Sequence, residues 1–212
     1  MGEAVLVQAL RHAGVRDKRV LDAFQAVRRG DFVPRDQRGR AYEDVPVPIP
    51  RDQVTTQPSL IARMLAALAL RGTERVLEVG AGYGFQTALL AKLARTVWAV
   101  ERFGDLADAA RANLLRADID DAHVVVGDGT NGLPERAPFD AIVVAAAFTR
   151  VPAPLAEQLA LGGRLVQPLG PGGREDVTLY VREASGLRRE RLVTTAHFVP
   201  LVGEHGFPPD GR

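Results

Sequence analysis

Hydrophobic residues follow two spacings that alternate along most of the chain. In some stretches they recur every three or four positions, as in an amphipathic helix, and in others they form short continuous runs, as in a buried strand. The first spacing predicts helices over residues 3–13, 17–29, 59–70, 86–94, 105–117 and 154–161. The second predicts strands over residues 75–79, 96–100, 123–126, 139–145 and 164–168. Strands and helices that alternate in this way predict a parallel sheet with helices on both faces.

Two more strands are predicted near the C-terminus, over residues 177–182 and 192–199. Polar and apolar residues alternate in both, and no helix is predicted between them, so we expect an antiparallel pair that finishes the sheet. The predicted fold class is therefore α/β. It comprises a doubly wound, mostly parallel seven-stranded sheet with antiparallel C-terminal strands and an N-terminal helical extension.

The segment 31–57 shows neither spacing. It contains four prolines, a density that forbids a regular helix: Pro34, Pro46, Pro48 and Pro50. An irregular segment of this length in a small domain usually has a function. We expect a single domain over residues 1–212, made of N-terminal helices with a substrate and active-site segment (1–57), a cofactor-binding core (58–170) and C-terminal strands with a tail (171–212).

Composition narrows the classes of function. The 212 residues include 27 Lys and Arg against 26 Asp and Glu, and a net charge of +1 indicates no basic surface for nucleic acid. Apolar runs such as residues 141–148 are far shorter than the ~20 residues of a membrane span. The chain contains no cysteine, which excludes disulfides and thiolate chemistry and suits a reducing cytoplasm. We expect a cytoplasmic monomer without a nucleic-acid or membrane partner.

A glycine-rich turn joins the strand 75–79 to the helix that follows. The glycines are Gly80, Gly82 and Gly84, in the pattern G-x-G-x-G. A dinucleotide-binding loop requires G-x-G-x-x-G, and Phe85 stands at the third position of that motif. No lysine follows, which also excludes a P-loop. The predicted ligand is a nucleoside without a phosphate group to hold.

Acidic residues follow the next two strands. Glu101 can accept hydrogen bonds from both hydroxyls of a ribose, and Asp128, within Gly127-Asp128-Gly129, can accept one from an exocyclic amine. Any one of these positions alone is equally explained by a turn glycine or an acid that caps a helix. Together with the glycine loop, however, they lie at the carboxyl ends of consecutive strands, where open α/β sheets bind ligands.

This combination resembles the class I S-adenosylmethionine-dependent methyltransferases, which have a Rossmann-like fold. More specific segments, spread over about residues 5–205, resemble the protein-L-isoaspartate O-methyltransferases. In the first half of the chain they are Phe32-Val33-Pro34, Ala41-Tyr42-Glu43-Asp44, Pro48-Ile49, Gln57-Pro58 and 76–91. In the second half they are 127–129, 137–142, Glu157-Gln158-Leu159, Gly162-Gly163-Arg164-Leu165 and Phe198-Val199-Pro200-Leu201.

The resemblance implies S-adenosyl-L-methionine as cofactor, S-adenosyl-L-homocysteine as product and isoaspartyl-containing peptides or proteins as substrates. It implies these cofactor-binding residues: Val54, Thr55, Glu78, Gly80, Gly82, Gly84, Glu101, Asp128 and Gly129. It implies these substrate-binding residues: Thr56, Val199, Leu201 and Val202. The family usually has Thr-Ile-Ser where this chain has Val54-Thr55-Thr56, and often has a threonine or a small residue where it has Val202.

Thr56, at the family's serine position, is the predicted catalytic residue, and its hydroxyl would orient the substrate carboxylate. The alternative is that Thr56 only caps the helix that follows. A carboxylate is already ionised at pH 7, because its pKa is about 4, so methyl transfer to it requires no general base. The four histidines are scattered without the spacing of a triad or a metal site, and we expect no metal: His12, His123, His197 and His205.

The leading hypothesis is methyl transfer to the α-carboxylate of L-isoaspartyl residues in damaged proteins. Val54 and Thr56 motivate an alternative, a related enzyme that methylates an aspartate of a dedicated peptide or natural product. A nicotinamide-dependent oxidoreductase is disfavoured by Phe85. A nucleoside-binding protein without catalysis is supported only by the altered active-site segment.

Overall fold

The computed structural model describes residues 2–209, so residues 1 and 210–212 of the predicted domain lie outside the described range. Within that range it has six α-helices: α1 (Gly2–His12), α2 (Lys18–Ala26), α3 (Pro58–Leu68), α4 (Phe85–Ala91), α5 (Gly104–Arg116) and α6 (Ala153–Glu157). It has nine strands: β1 (Val47–Ile49), β2 (Gln53–Thr55), β3 (Arg75–Val79), β4 (Thr96–Glu101), β5 (Ala122–Val126), β6 (Phe139–Val144), β7 (Leu159–Leu169), β8 (Glu175–Glu183) and β9 (Gly186–Ala196).

Seven of these strands form one sheet in the order β5-β4-β3-β6-β7-β8-β9. The pairs from β5 to β7 are parallel, and β8 and β9 are added antiparallel, which confirms the predicted fold class. Strands β3 and β6 lie at the centre, where Leu77, Ile142 and Val143 are fully buried. Because β3 has β4 on one side and β6 on the other, the chain crosses over in opposite directions from it. A crevice forms at the carboxyl ends of strands where the order reverses in this way.

The N-terminal helices pack over the start of α4. Asp17 accepts a hydrogen bond from the backbone N–H of Val20 at 3.1 Å, so α2 begins where the sequence predicts. Phe24 and Phe32 are both fully buried, and their rings lie 5.7 and 6.0 Å from that of Phe85, the first residue of α4. The extension therefore helps to fix the point at which the glycine loop enters its helix.

The segment predicted to be irregular contains two 3₁₀ helices, Arg29–Phe32 and Arg35–Arg40, and a hairpin that the sequence does not predict. In the hairpin β1 pairs with β2 in antiparallel register, with Val47 opposite Thr55. Its turn uses positive φ angles at Arg51 (66°) and Asp52 (55°). Strands of three residues, one of which holds a proline, are too short for an alternation to be recognised.

The largest errors in the predicted boundaries fall in two regions of the chain. The helix predicted over 154–161 ends at Glu157, and Leu159 already pairs with Phe139 as the first residue of β7. The apolar residues of this stretch fit either element, and pairing with β6 decides in favour of the strand. The last strand begins at Gly186 rather than residue 192, and it ends at Ala196 rather than residue 199. Its first half is highly charged and exposed at the edge of the sheet, so it lacks the apolar alternation of a half-buried strand.

Among residues 2–209, no helix is both long enough and apolar enough to cross a membrane. The same residues contain no group of three or more His, Asp or Glu side chains placed to hold a metal ion.

Candidate active site

A cavity lies at the carboxyl ends of β3 and β4, in the crevice where the strand order reverses. It encloses about 840 Å³ of space, including its open mouth. Its walls are formed by the glycine loop, the β1–β2 hairpin and the segment 199–202, which are far apart in sequence. Ten of the predicted site residues line it: Val54, Thr55, Thr56, Gly80, Gly82, Glu101, Gly129, Val199, Leu201 and Val202.

The glycine loop follows the buried end of β3 closely. Gly82 has a φ of +54°, and a Cβ atom there would lie 3.3 Å from Cδ1 of Ile49 on the hairpin. Gly84 has a φ of +87° and directly precedes α4, where a Cβ atom would lie 3.3 Å from the side chain of Ala110. Because Gly84 has no side chain, α4 can lie close to α5. The absence of a side chain at Gly82 likewise allows the hairpin to lie close to the cavity floor.

Glu101 is the acid of the cavity wall. Its side chain is buried, with 5% of the residue exposed. Oε2 accepts a hydrogen bond from the N–H of Gly82 at 2.9 Å, and Oε1 accepts one from the N–H of Phe103 at 3.0 Å. A carboxylate oxygen can accept two hydrogen bonds, so each keeps capacity for one more donor. The predicted contact with the two ribose hydroxyls fits this arrangement and stays a prediction.

Glu78 lies in β3 but does not line the cavity. It is fully buried, and it accepts hydrogen bonds from Nε2 of Gln86 at 3.0 Å and from Oγ1 of Thr87 at 2.6 Å. Burial raises the pKa of Glu78 to about 7, although these two hydrogen bonds oppose the increase. Its contacts in the structure are with the first turn of α4 rather than with the cavity.

Asp128 likewise does not line the cavity, although the adjacent Gly129 does. Oδ1 accepts hydrogen bonds from the N–H and the hydroxyl of Thr130 at 2.8 and 2.7 Å, and Oδ2 accepts one from the N–H of Glu204 at 2.7 Å. Burial alone would raise the pKa of Asp128, but these hydrogen bonds outweigh burial and lower it. The carboxylate thus anchors the chain just beyond Val202.

The segment 54–56 runs from the hairpin into α3. Val54 is 43% exposed, and the hydroxyl of Thr55 accepts a hydrogen bond from Arg29 at 3.0 Å. Thr56 is half-buried at the cavity surface. The alternative that Thr56 caps α3 is wrong, because Asp44 Oδ1 accepts the hydrogen bond of the N–H of Ser59 at 2.8 Å.

The segment 199–202 reaches the cavity by joining the loop after β6. The N–H of Ala147 donates to the carbonyl of Val199 at 2.8 Å, and the N–H of Leu201 donates back to the carbonyl of Ala147 at 2.7 Å. Leu201 is buried. This pairing places the predicted substrate-binding residues beside the glycine loop.

The sequence analysis did not single out several residues that line the cavity, among them Tyr83, Arg102 and Phe103. Phe103 follows Glu101 by two residues, and that aromatic residue just past a strand end was the available signal. The guanidinium of Arg51 lies 5.9 Å from the centre of the Phe103 ring and forms an ion pair with Asp105 at 3.1 Å. These contacts connect the tip of the hairpin to the start of α5 beside the cavity.

Comparisons with known proteins point to one family. The family model described as protein-L-isoaspartate(D-aspartate) O-methyltransferase matches residues 1–206. A protein-L-isoaspartate O-methyltransferase of Methanoculleus marisnigri is 46% identical over 93% of this chain and 90% of its own length. One of Anaeromyxobacter dehalogenans is 50% identical over 91% of this chain and 93% of its own.

Solved structures give the same result. A protein-L-isoaspartate O-methyltransferase has a TM-score of 0.85 at 28% identity, over 97% of this chain and 67% of its own. A Plasmodium falciparum protein described as a protein-L-isoaspartate O-methyltransferase or beta-aspartate methyltransferase, in complex with S-adenosyl-L-homocysteine, has a TM-score of 0.79 at 25% identity. That match covers 93% of this chain and 96% of the Plasmodium chain. The match of the family model to nearly the whole chain, with relatives of this identity and coverage, shows that the chain belongs to the protein-L-isoaspartate(D-aspartate) O-methyltransferase family.

Proposed function

We propose that this protein transfers the methyl group of S-adenosyl-L-methionine to the α-carboxylate of L-isoaspartyl residues in damaged proteins and peptides. The observation that carries the proposal is the single cavity shared by the glycine loop, Glu101, Thr56 and the segment 199–202. A cofactor site and a substrate site must meet in this way, because the methyl group and the carboxylate react in contact.

The cavity wall fits this cofactor in two respects. Glu101 presents a buried carboxylate with spare acceptor capacity, which suits a ribose diol. Gly82 has no side chain at a point where Ile49 already approaches closely, and this leaves the floor open. When bound, S-adenosyl-L-methionine supplies a sulfonium methyl group, which is transferred to a carboxylate oxygen as its bond to sulfur breaks, leaving S-adenosyl-L-homocysteine.

The residues of this chain bind the two reactants and orient them. The hydroxyl of Thr56 donates a hydrogen bond to one oxygen of the substrate carboxylate and leaves the other free to attack. The apolar side chains of Val199, Leu201 and Val202 exclude water from the reacting groups. No base is required, since the nucleophile carries its charge before it binds.

Methylation at this carboxylate leads to repair by the chemistry of the product. The carbonyl of the methyl ester is a better electrophile than the carboxylate, because methoxide leaves far more readily than an oxide ion. The neighbouring backbone nitrogen therefore attacks this carbonyl and closes a succinimide, and methanol is lost. Hydrolysis of the succinimide converts a fraction of the damaged residues to normal aspartate. We further propose that the protein works in the cytoplasm as a monomer and without nucleic acid, which its net charge of +1 and lack of cysteine support.

The test uses two peptides that differ only in whether one residue is isoaspartyl or aspartyl, with methyl-labelled S-adenosyl-L-methionine. We expect methyl ester on the isoaspartyl peptide alone. Thr56→Ala is expected to lower kcat by roughly 10- to 100-fold, because a hydrogen bond to a charged group contributes about 1.5–3 kcal/mol. Thr56→Ser keeps the hydroxyl and should preserve or raise activity.

Thr73→Ala is the matched control, because Thr73 is exposed and precedes β3 at the end of the sheet opposite the cavity. Methylation of the aspartyl peptide alone would replace the repair function with the dedicated-substrate alternative. If Thr56→Ala retains full kcat, the role assigned to the Thr56 hydroxyl is wrong even where the activity itself is found.

A further inference from the structure

Arg29 is a fully buried arginine that holds two separate parts of the chain. Its Nη1 donates hydrogen bonds to the carbonyls of Ala41 and Glu43 at 3.2 and 3.0 Å. Its Nη2 donates to the carbonyl of Val45 at 2.9 Å and to the hydroxyl of Thr55 at 3.0 Å. The guanidinium therefore connects the loop 41–45 to the end of strand β2, next to the predicted catalytic residue.

The cost of burying this charge is considerable, since none of its four hydrogen-bond acceptors is a carboxylate. Nε is also buried, without a hydrogen-bond partner among the described residues. The guanidinium carbon lies 5.6 Å from the centre of the Phe85 ring, which supplies a weak attraction. Burial lowers the pKa of Arg29 to about 10, and the nearby charge of Asp44 limits the decrease, so the side chain remains a cation at neutral pH.

Asp44 belongs to the same loop and holds the other side of the active-site segment. Its Oδ1 accepts the N–H of Ser59 at 2.8 Å, and its Oδ2 accepts Nε2 of Gln57 at 3.1 Å. Thr56 thus lies between Thr55, which is bound by Arg29, and Gln57, which is bound by Asp44. Both neighbours of Thr56 are anchored to one short loop.

We propose that Arg29 and Asp44 are positioning residues for methyl transfer, which together hold Thr56 at the cavity by binding its two neighbours. The role of Thr56 in this proposal rests on the proposed function. Arg29 holds the end of β2 through the hydroxyl of Thr55, and Asp44 holds the start of α3 through Gln57 and Ser59. The loop 41–45 couples the two. Neither of the two side chains lines the cavity, so their effect on the reaction passes through Thr55, Thr56 and Gln57.

The sharpest variant is Thr55→Val, which removes the hydroxyl that Arg29 binds and keeps the size and shape of the side chain. We expect kcat on an isoaspartyl peptide to fall on the order of 10- to 100-fold, because small displacements of a reacting group have effects of this size. The affinity for S-adenosyl-L-homocysteine should change less than about twofold, since the hydroxyl is bound to Arg29 and valine keeps the shape that residue 55 presents to the cavity. Arg29→Lys should lower kcat further, because one ammonium group cannot reach four acceptors.

Rescue by a conservative residue separates positioning from general stability. Asp44→Asn keeps an oxygen for the N–H of Ser59 and should retain more kcat than Asp44→Ala at similar melting temperature. Arg28→Lys is the matched control for Arg29→Lys, because Arg28 is the adjacent residue and its side chain is 73% exposed. It should leave kcat and melting temperature at their original values.

A second measurement is independent of methylation. Amide hydrogen exchange over residues 53–57 should become faster in Thr55→Val and Arg29→Lys, while exchange in β3 and β6 stays unchanged. The positioning role is refuted if Thr55→Val retains both kcat and slow exchange, or if kcat, cofactor affinity and melting temperature all fall together. If the parent protein methylates no isoaspartyl peptide, the proposed function fails, and the exchange data alone still decide whether Arg29 and Asp44 hold Thr56.

Discussion

The burial of Glu78 predicts how the free energy of unfolding changes with pH. Its pKa in the folded protein is raised to about 7 by burial, against an ordinary value of 4.5. The folded protein therefore holds this proton more tightly than the unfolded chain does. Stability from the protonated side chain is complete below about pH 4.5 and is lost as the pH rises through 7.

The magnitude follows from the size of that difference. Each pH unit between the folded and unfolded pKa corresponds to about 1.4 kcal/mol, so a rise from 4.5 to about 7 amounts to roughly 3 kcal/mol. The full value applies because the group has no exposed surface. Glu78→Gln removes the titration and keeps an oxygen for Nε2 of Gln86 and a donor for the hydroxyl of Thr87. Relative to the parent, the variant should therefore gain about 3 kcal/mol of stability between pH 4.5 and pH 8.5.

The assay is urea unfolding at a series of pH values, and the quantity of interest is the variant's free energy of unfolding minus the parent's. Subtraction cancels the titration of all other groups. Glu135→Gln, which removes an exposed carboxylate, measures how much of any trend comes simply from deleting an acid. A difference that stays flat across this range, or that favours the parent as the pH rises, would show that Glu78 is not held protonated by burial.

The remaining predictions concern the cofactor side of the cavity. Glu101→Ala should weaken binding of S-adenosyl-L-methionine in calorimetry by about 10- to 150-fold, the loss of a charged hydrogen-bond partner, and NADH should not bind to either protein. Asp128→Ala should raise the KM for peptide more than it weakens the cofactor, because its carboxylate holds the chain after Val202; an effect on the cofactor as large as that of Glu101→Ala would instead support a direct contact. Gly82→Val should abolish cofactor binding while a thermal melt stays cooperative, and a variant that only unfolds would make Gly82 a turn residue.

The sequence is most informative where one strand is buried on both faces. Apolar runs such as those in β3 and β6 fit only elements that are buried, and strands of a parallel sheet are buried on both faces. The order of these runs along the chain, alternating with helices, is consistent with a parallel sheet. The errors occur where a neighbouring strand decides the outcome. Leu159 has an apolar side chain that suits a helix or a strand equally, and the edge strand β9 is too charged to show alternation.

The candidate site likewise contains residues that the sequence predicts and residues that it does not. Glycines and an acid at strand ends predict the position of a nucleoside site, because the carboxyl ends of parallel strands meet at one edge of the sheet. The sequence pattern could not reveal the role of Arg29, because a single arginine at the end of a predicted helix is normally exposed. Its burial depends on hydrogen bonds to the carbonyl groups of residues 41, 43 and 45, and no local sequence pattern predicts where those carbonyls point.

Three acids that look equivalent in the sequence have different surroundings in the fold, and the difference explains how the two halves of the site can act together. Glu78 faces α4, where the loss of solvent raises its pKa. Glu101 faces the cavity, where its spare lone pairs can accept hydrogen bonds from a ligand. Asp128 lies two residues past the end of β5, so its side chain reaches the returning C-terminal chain at Glu204. A strand end next to the cofactor cavity thereby also anchors the segment predicted to bind the peptide. If bound peptide tightens the cofactor through this anchor, the coupling must be reciprocal, and bound cofactor must tighten the peptide by the same factor.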